Sequence, residues 1–203
     1  MIAIIDYGVG NLFSVKNAFD YLAIESVITN DPAIIKQAER IILPGVGAFS
    51  KGMELLKQSG LQEVILDQVK TKPLLGICLG MQFLFDSSTE FGISQGLGLI
   101  PGVVKEIPTD LKLPHMGYNQ LLLQVKHPLL NNIQEQDNVY FVHSYMAFTD
   151  PKYVLAYCDY DCQIPAIVYH AKNVYGTQFH PEKSGETGLT ILKNFVEIKG
   201  EVL

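Results

Sequence analysis

Short apolar runs alternate with amphipathic helical stripes through the first half of the chain. Ile2-Ala3-Ile4-Ile5 is apolar at every position, the pattern of a strand buried on both faces of a parallel sheet. It ends at Asp6-Tyr7-Gly8-Val9-Gly10-Asn11, after which Leu12, Val15, Phe19 and Leu22 recur at helical spacing: strand, tight turn, helix. Val27-Ile28-Thr29 predicts a second strand and Asp31-Pro32 the start of a short helix, with proline at a favoured early position. Arg40-Ile41-Ile42-Leu43 predicts a third strand. Helical patterns around Met53 to Lys57 and Leu61 to Val69 then lead to an apolar run from Pro73, one cysteine between two glycines, and a further helical pattern to Phe85. This alternation predicts an α/β fold.

The texture changes after Phe85. Residues 92–102 are rich in glycine, and from Val103 to Gln178 short alternating or aromatic runs predict mainly antiparallel strands. Lys172-Asn173 reads as the turn of a hairpin joining Ala166–His170 to Val174–Phe179. A final helix is expected from about Gly188 to Lys199, with Leu189, Leu192, Phe195 and Val196 as its apolar stripe. No internal repeat or low-complexity linker interrupts the chain, and 203 residues that are 48% hydrophobic suffice for one compact domain, residues 1–203.

Charge and cysteine content narrow the function. A net charge of -6 without a basic run argues against nucleic acid or an anionic membrane as the main partner. No apolar stretch is long enough to span a bilayer, and the chain enters its first strand without a basic leader, so a cytoplasmic protein is expected. Three cysteines, an odd number, fit reduced thiols. Cys158 and Cys162 flank Asp-Tyr-Asp, which is not the usual zinc spacing, and no histidine pair completes a site, so neither metal nor cofactor is expected. Gly8-x-Gly10 after the first strand lacks the third glycine of a dinucleotide fingerprint, because Phe13 stands there.

The candidate chemistry centres on Gly76-Ile77-Cys78-Leu79-Gly80. A nucleophile between small residues at a strand-to-helix turn is the thiol counterpart of a nucleophile elbow, where free amide N–H groups and the helix dipole favour a thiolate. A buried cysteine acting only as a small apolar residue is the plain alternative. Pro44-Gly45-Val46-Gly47-Ala48-Phe49 ends the third strand in a loop bare enough for its backbone N–H groups to approach a ligand, either an oxyanion hole or an ordinary turn. In Phe179-His180-Pro181-Glu182, an extended backbone would turn His180 and Glu182 to one side. That suits a base and the carboxylate that orients it, and the order Cys, His, Glu is no obstacle to a triad.

These blocks resemble the class I, triad-type glutamine amidotransferases. The narrower likeness is to the glutaminase subunits of imidazole glycerol phosphate synthase, and it also rests on Asp6-Tyr7-Gly8-x-Gly10-Asn11, Pro114-His115-Met116-Gly117, Tyr140-Phe141-Val142-His143-Ser144-Tyr145 and Gln178 to Ser184. The resemblance implies a doubly wound, mostly parallel, flavodoxin-like sheet flanked by helices, with added antiparallel strands in the C-terminal half. It implies Cys78 as nucleophile, His180 as general acid/base and Glu182 as its orienting carboxylate. Gly45, Val46 and Gly47 would form the oxyanion strand, with the Leu79 amide as the other donor. Gln82 and Glu90 match positions that hold substrate glutamine, and the backbone of His143, Ser144 and Tyr145 matches its carboxylate-binding edge. Asn11, Tyr118 and Lys183 are the candidates for a docking face, with tyrosine at 118 where the family usually has tryptophan.

The implied partner is the cyclase subunit, a (β/α)8 barrel, in a heterodimer. The motifs run almost end to end, so ammonia made here needs a second protein to use it, and the glycine-flanked Val46 peptide offers a way for that partner to switch glutaminase on. Three other readings stand beside this one: a paralogous amidotransferase subunit serving another synthase such as one that amidinates a surface sugar, a stand-alone cysteine hydrolase, and a non-enzymatic binding module. The glutaminase reading predicts that Cys78→Ala abolishes glutamate formation from glutamine; a variant that kept its activity would return the chain to the binding-module class.

Overall fold

The computed structural model describes residues 1–171 and 173–198; Lys172, in the expected hairpin turn, and Lys199, the expected helix end, lie outside the described residues. In chain order the elements are β1 (Ile2–Ile5), α1 (Leu12–Tyr21), β2 (Ser26–Thr29), α2 (Pro32–Gln37), β3 (Arg40–Gly45), α3 (Phe49–Gln58), α4 (Leu61–Gln68), β4 (Leu74–Cys78) and α5 (Leu79–Gln82). There follow β5 (Phe85–Ser88), β6 (Ser94–Gln95), β7 (Ile100–Glu106), β8 (His115–Gln120), β9 (Leu122–Leu123), β10 (Asn138–His143), β11 (Tyr145–Phe148), β12 (Val154–Asp159), β13 (Gln163–His170), β14 (Val174–Thr177) and α6 (Gly185–Glu197).

The main sheet has the order β2-β1-β3-β4-β14-β13-β12-β9. Its first five strands are parallel and its last four pair antiparallel, β14 being common to both parts. Alternation along β1 explains its apolar sequence: Ile2 and Ile4 join one buried cluster, Ala3 and Ile5 the cluster on the opposite face. The expected hairpin is β13 with β14, and its second strand closes onto β4, so the antiparallel half is built directly onto the parallel one. Two small sheets, β10-β8 and β11-β7-β5-β6, form the wall beside the C-terminal end of β4.

One expectation fails. The helix after Cys78 does not run to Phe85; α5 is a single turn, and Phe85 begins β5. Met81, Phe83, Leu84 and Phe85 are all fully buried, so the run carries no periodicity that separates helix from strand. The glycine-rich segment decides the matter, because Leu97 N–H donates to Phe83 O at 2.7 Å and Leu99 N–H to Leu84 O at 2.8 Å, drawing the chain away from the helix.

The glycines around Cys78 have steric causes. A Cβ on Gly80 would lie 1.8 Å from Leu43 O, and one on Gly76 would lie 2.5 Å from Gly80 O, so α5 rests directly on β3 and β4. Gly60, by contrast, has open space around its Cβ position and only a left-handed backbone, φ 72°. Gly80→Ala should therefore lower the unfolding midpoint by roughly 10 °C, through overpacking of about 3 kcal/mol, and Gly60→Ala by about a third of that. Thermal unfolding of the two variants checks the ranking; equal losses would mean that the tight seat of α5 is not what Gly80 protects.

Candidate active site

β4 delivers Cys78 at φ 55°, ψ -112°, a conformation that non-glycine residues hold only where their surroundings enforce it. The enforcing contacts are the glycine seats just described. The Cys78 thiol is 7% exposed, with Val142 O 3.9 Å and Gln178 Nε2 4.0 Å from its sulfur. Because α5 has one turn, the helix dipole expected to favour a thiolate is slight. A neighbouring imidazole supplies the charge instead.

That imidazole is His180, whose own backbone is extended at φ -96°, ψ 99°, although the segment after it does not stay so. Pro181–Lys183 forms a 3-10 turn, and the bend brings His180 Nδ1 to 2.8 Å from Glu182 Oε1. Three contacts hold the turn: His180 N–H donates to Tyr140 O at 3.0 Å, Ser184 Oγ donates to His180 O at 2.6 Å, and Tyr140 N–H donates to Ser184 Oγ at 2.9 Å. α6 presses on the same turn, since a Cβ on Gly188 would lie 1.9 Å from Pro181 O. Cys78 and His180 line the same cleft, and the thiol bears on the charge of the imidazole.

Burial disfavours a charged His180, but its interactions with Cys78 and Glu182 outweigh that cost and raise its pKa to about 10. The Glu182 side chain is fully buried and its Oε2 has no donor among the described residues, so its charge is answered through His180. An imidazolium beside a thiol is the arrangement that activates a cysteine nucleophile, and the same ring can return its proton to a leaving group.

The thiol opens into a cleft of about 710 Å³ whose walls include Val46, Gly47, Leu79 and His180 on one side and Gln82, Glu90, His143, Ser144 and Tyr145 on the other. Gly45 lies beneath it, paired with Cys78 across β3 and β4, and a Cβ there would come within 2.7 Å of Tyr7 Oη. Tyr7 donates to Pro44 O at 2.9 Å and anchors the loop; burial, then the Cys78 charge, pushes its phenol pKa up. Gly47 takes φ 96°, available to glycine, and Val46 stands 43% exposed at the mouth. Gln82 Nε2 donates to Tyr145 O at 3.0 Å and Gln178 Oε1 at 3.1 Å, and Glu90 Oε2 accepts from Phe49 N–H at 2.6 Å, at the start of α3. Both side chains thus brace the cleft as well as line it.

Asn11, Tyr118 and Lys183 lie outside the cleft. Tyr118, 62% exposed, donates from its hydroxyl to Lys183 O at 2.9 Å, and α1, which Asn11 starts, packs against the Pro181–Lys183 turn. Sequence reasoning missed Gln178, Ser184, Gly188 and Tyr7 as supports of the triad, and Phe91 and Glu106 as walls. Tyr7, Gln178 and Ser184 stand inside the motifs that carry the resemblance, which is the one signal that could have found them. Among the described residues no three His, Cys, Asp or Glu gather as a metal site, and no helix is long and apolar enough to cross a membrane. Cys158 and Cys162 are free thiols, both with pKa pushed up by burial and then by nearby aspartates.

Comparison with known proteins places this geometry. The family described as "Glutamine amidotransferase class-I" matches residues 3–198. The chain is 50% identical over 206 residues to the imidazole glycerol phosphate synthase subunit HisH of Geobacillus sp. (strain WCH70), covering 98% of this chain and 97% of that one. It is 47% identical over 207 residues to the HisH subunit of Geobacter sulfurreducens, covering 98% and 99% of the two chains. A solved structure described as a glutamine amidotransferase superposes with a TM-score of 0.77 at 17% identity over 98% of each chain, a likeness of fold.

The raised His180 pKa has a consequence for stability. The folded state keeps a proton that the unfolded chain releases above about pH 6.5, so the stabilisation is whole below 6.5 and lost as pH rises through about 10. The stability advantage of the wild type over His180→Asn should therefore shrink across that window. Urea unfolding at several pH values measures it, and a constant difference would mean that His180 rests neutral.

Proposed function

Because the chain belongs to the class-I glutamine amidotransferase family, we propose that it is the glutaminase subunit of imidazole glycerol phosphate synthase, releasing ammonia from glutamine for a cyclase partner in histidine biosynthesis. The observation that carries the chemistry is the bonded pair His180–Glu182 with Cys78 in the same cleft. The Cys78 thiolate attacks the side-chain amide of glutamine. Backbone N–H groups of the Gly45-Val46-Gly47 strand and Leu79 stabilise the tetrahedral oxyanion, and His180 protonates the departing nitrogen. Ammonia leaves a glutamyl thioester, which water activated by His180 cleaves to glutamate.

In this assignment Glu90 and Glu106 face the α-ammonium of glutamine, and the His143-Ser144-Tyr145 edge faces its carboxylate. Ammonia in neutral water is mostly protonated and no nucleophile, so it must pass directly to the acceptor. The partner is a (β/α)8 cyclase docked over the rim formed by Asn11, Tyr118 and Lys183, and the heterodimer works in the cytoplasm. There the cyclase joins ammonia to a ribulosyl aminoimidazole-carboxamide nucleotide, giving imidazole glycerol phosphate and aminoimidazole-carboxamide ribotide.

Glutamate formation should be slow with this protein alone and rise strongly with the cyclase and its ribulosyl nucleotide, while Cys78→Ala loses about 10⁴-fold or more in the full mixture. Equal turnover with and without the partner removes the gating. Silence in the full mixture, with Cys78 still labelled by a glutamine-like electrophile, hands the site to a paralogous subunit serving another synthase.

A further inference from the structure

A second buried chain of hydrogen bonds runs from the cleft to the surface through two histidines that the triad does not use. His143 and His115 lie opposite each other on the β10-β8 ladder. His143 Nδ1 meets Tyr145 O at 2.8 Å, His143 Nε2 meets His115 Nδ1 at 3.1 Å, His115 Nε2 meets Asn119 Oδ1 at 2.8 Å, and Asn119 Nδ2 meets Asp159 O at 3.1 Å. Both ends are backbone carbonyls, which only accept. Four contacts therefore need four hydrogens. Each neutral imidazole supplies one, and the Asn119 nitrogen serves one neighbour whichever way the amide is turned. The neutral chain is one proton short.

The cleft lacks a cation where the substrate brings an anion. Among the described residues its lining holds Glu90 and Glu106 but no lysine or arginine, and no imidazole besides His143 and His180. We propose that glutamine binds together with one proton, taken from solvent onto the His115–His143 pair, which thereby becomes the counter-charge of the substrate's α-carboxylate. This rests on the glutaminase reading above and deepens it.

Two features fit this role. The His115 ring lies between Tyr160 and Phe141, stacked at centroid distances of 4.1 and 4.9 Å, and two aromatic faces favour a cationic ring over a neutral one. In the empty cleft, burial holds His143 well below the ordinary imidazole range; its bond to Tyr145 works the other way, and the His115 and His180 charges lower it further. His115 is also lowered by burial, against its bond to Asn119. Burial thus works against the charged pair that the four contacts call for, and an anion at that edge shifts the balance toward it. The other titratable groups facing the pair are His180, Glu90, Glu106, Tyr145 and Tyr160, and the uptake must be separated from theirs.

Calorimetric titration of the full-length Cys78→Ala protein with glutamine, in buffers of different ionisation enthalpy between pH 6 and 8, where the α-amine of glutamine stays protonated, measures the linked proton. Net uptake should approach about one proton per glutamine at the acid end and fall as the pH rises. Asn119→Asp gives His115 Nε2 a carboxylate to bond, so the pair already holds its proton and the uptake should vanish while glutamine still binds. His115→Gln should lose the uptake and weaken binding about tenfold. Glutamine binding without proton uptake overturns the proposal, and so does uptake unchanged by Asn119→Asp, which would belong to Glu90, Glu106 or His180. A protein that binds no glutamine, either alone or with the cyclase, removes the glutaminase reading as well.

Discussion

The seat of α5 on the sheet, with Gly80 against the Leu43 carbonyl and Gly76 under Gly80, is the contact on which the remaining geometry depends. No side chain larger than hydrogen fits at either place, so the turn after β4 closes at the shortest distance a backbone allows. That closeness forces Cys78 into a left-handed conformation and leaves its thiol aimed over the end of the sheet. The strain is held by packing on both sides of the turn, where Leu79 and Met81 are buried with the core beneath α3. A looser seat would relax the backbone and turn the thiol away.

Around this fixed point the second half of the chain supplies the charges. Glu182 is taken out of water and left with one hydrogen-bonded oxygen, an arrangement that costs free energy unless a cation answers it. His180 is the group that answers it, and this raises the affinity of the imidazole for a proton. The turn that carries both residues is clamped by Tyr140, Ser184 and α6 rather than by solvent-exposed bonds. The same β10 strand that clamps His180 through Tyr140 carries His143 into the cleft wall, so one element aligns the triad and the recognition edge together.

The wall opposite the sheet is built from short strands whose sequences have little individual character. Gln82 and Glu90 illustrate their economy: each lines the cleft and each ties two segments, Gln82 joining the turn after Cys78 to Tyr145 and Gln178, Glu90 joining the loop after β5 to the start of α3. The rim outside, with Tyr118 bonded to the Lys183 carbonyl, sits on the reverse of the turn that positions His180.

The sequence by itself determined the parallel half of the sheet, because each strand there is buried on both faces and can only be apolar, and each helix there shows its stripe. It also singled out the motif glycines and Cys78, His180 and Glu182 as candidates, because a nucleophile, a base and its carboxylate need those residue types in those local settings. Only the tertiary structure decided that the helix after Cys78 stops after one turn, since a fully buried segment has no periodicity to read and its end depends on hydrogen bonds from Leu97 and Leu99. It alone decided that His180 and Glu182 meet through a bend rather than along an extended strand, because Gly188 of α6 and Ser184 set that bend. The His115–His143 chain was likewise invisible in sequence: the two residues are 28 apart, and only the register of an antiparallel ladder brings their rings together.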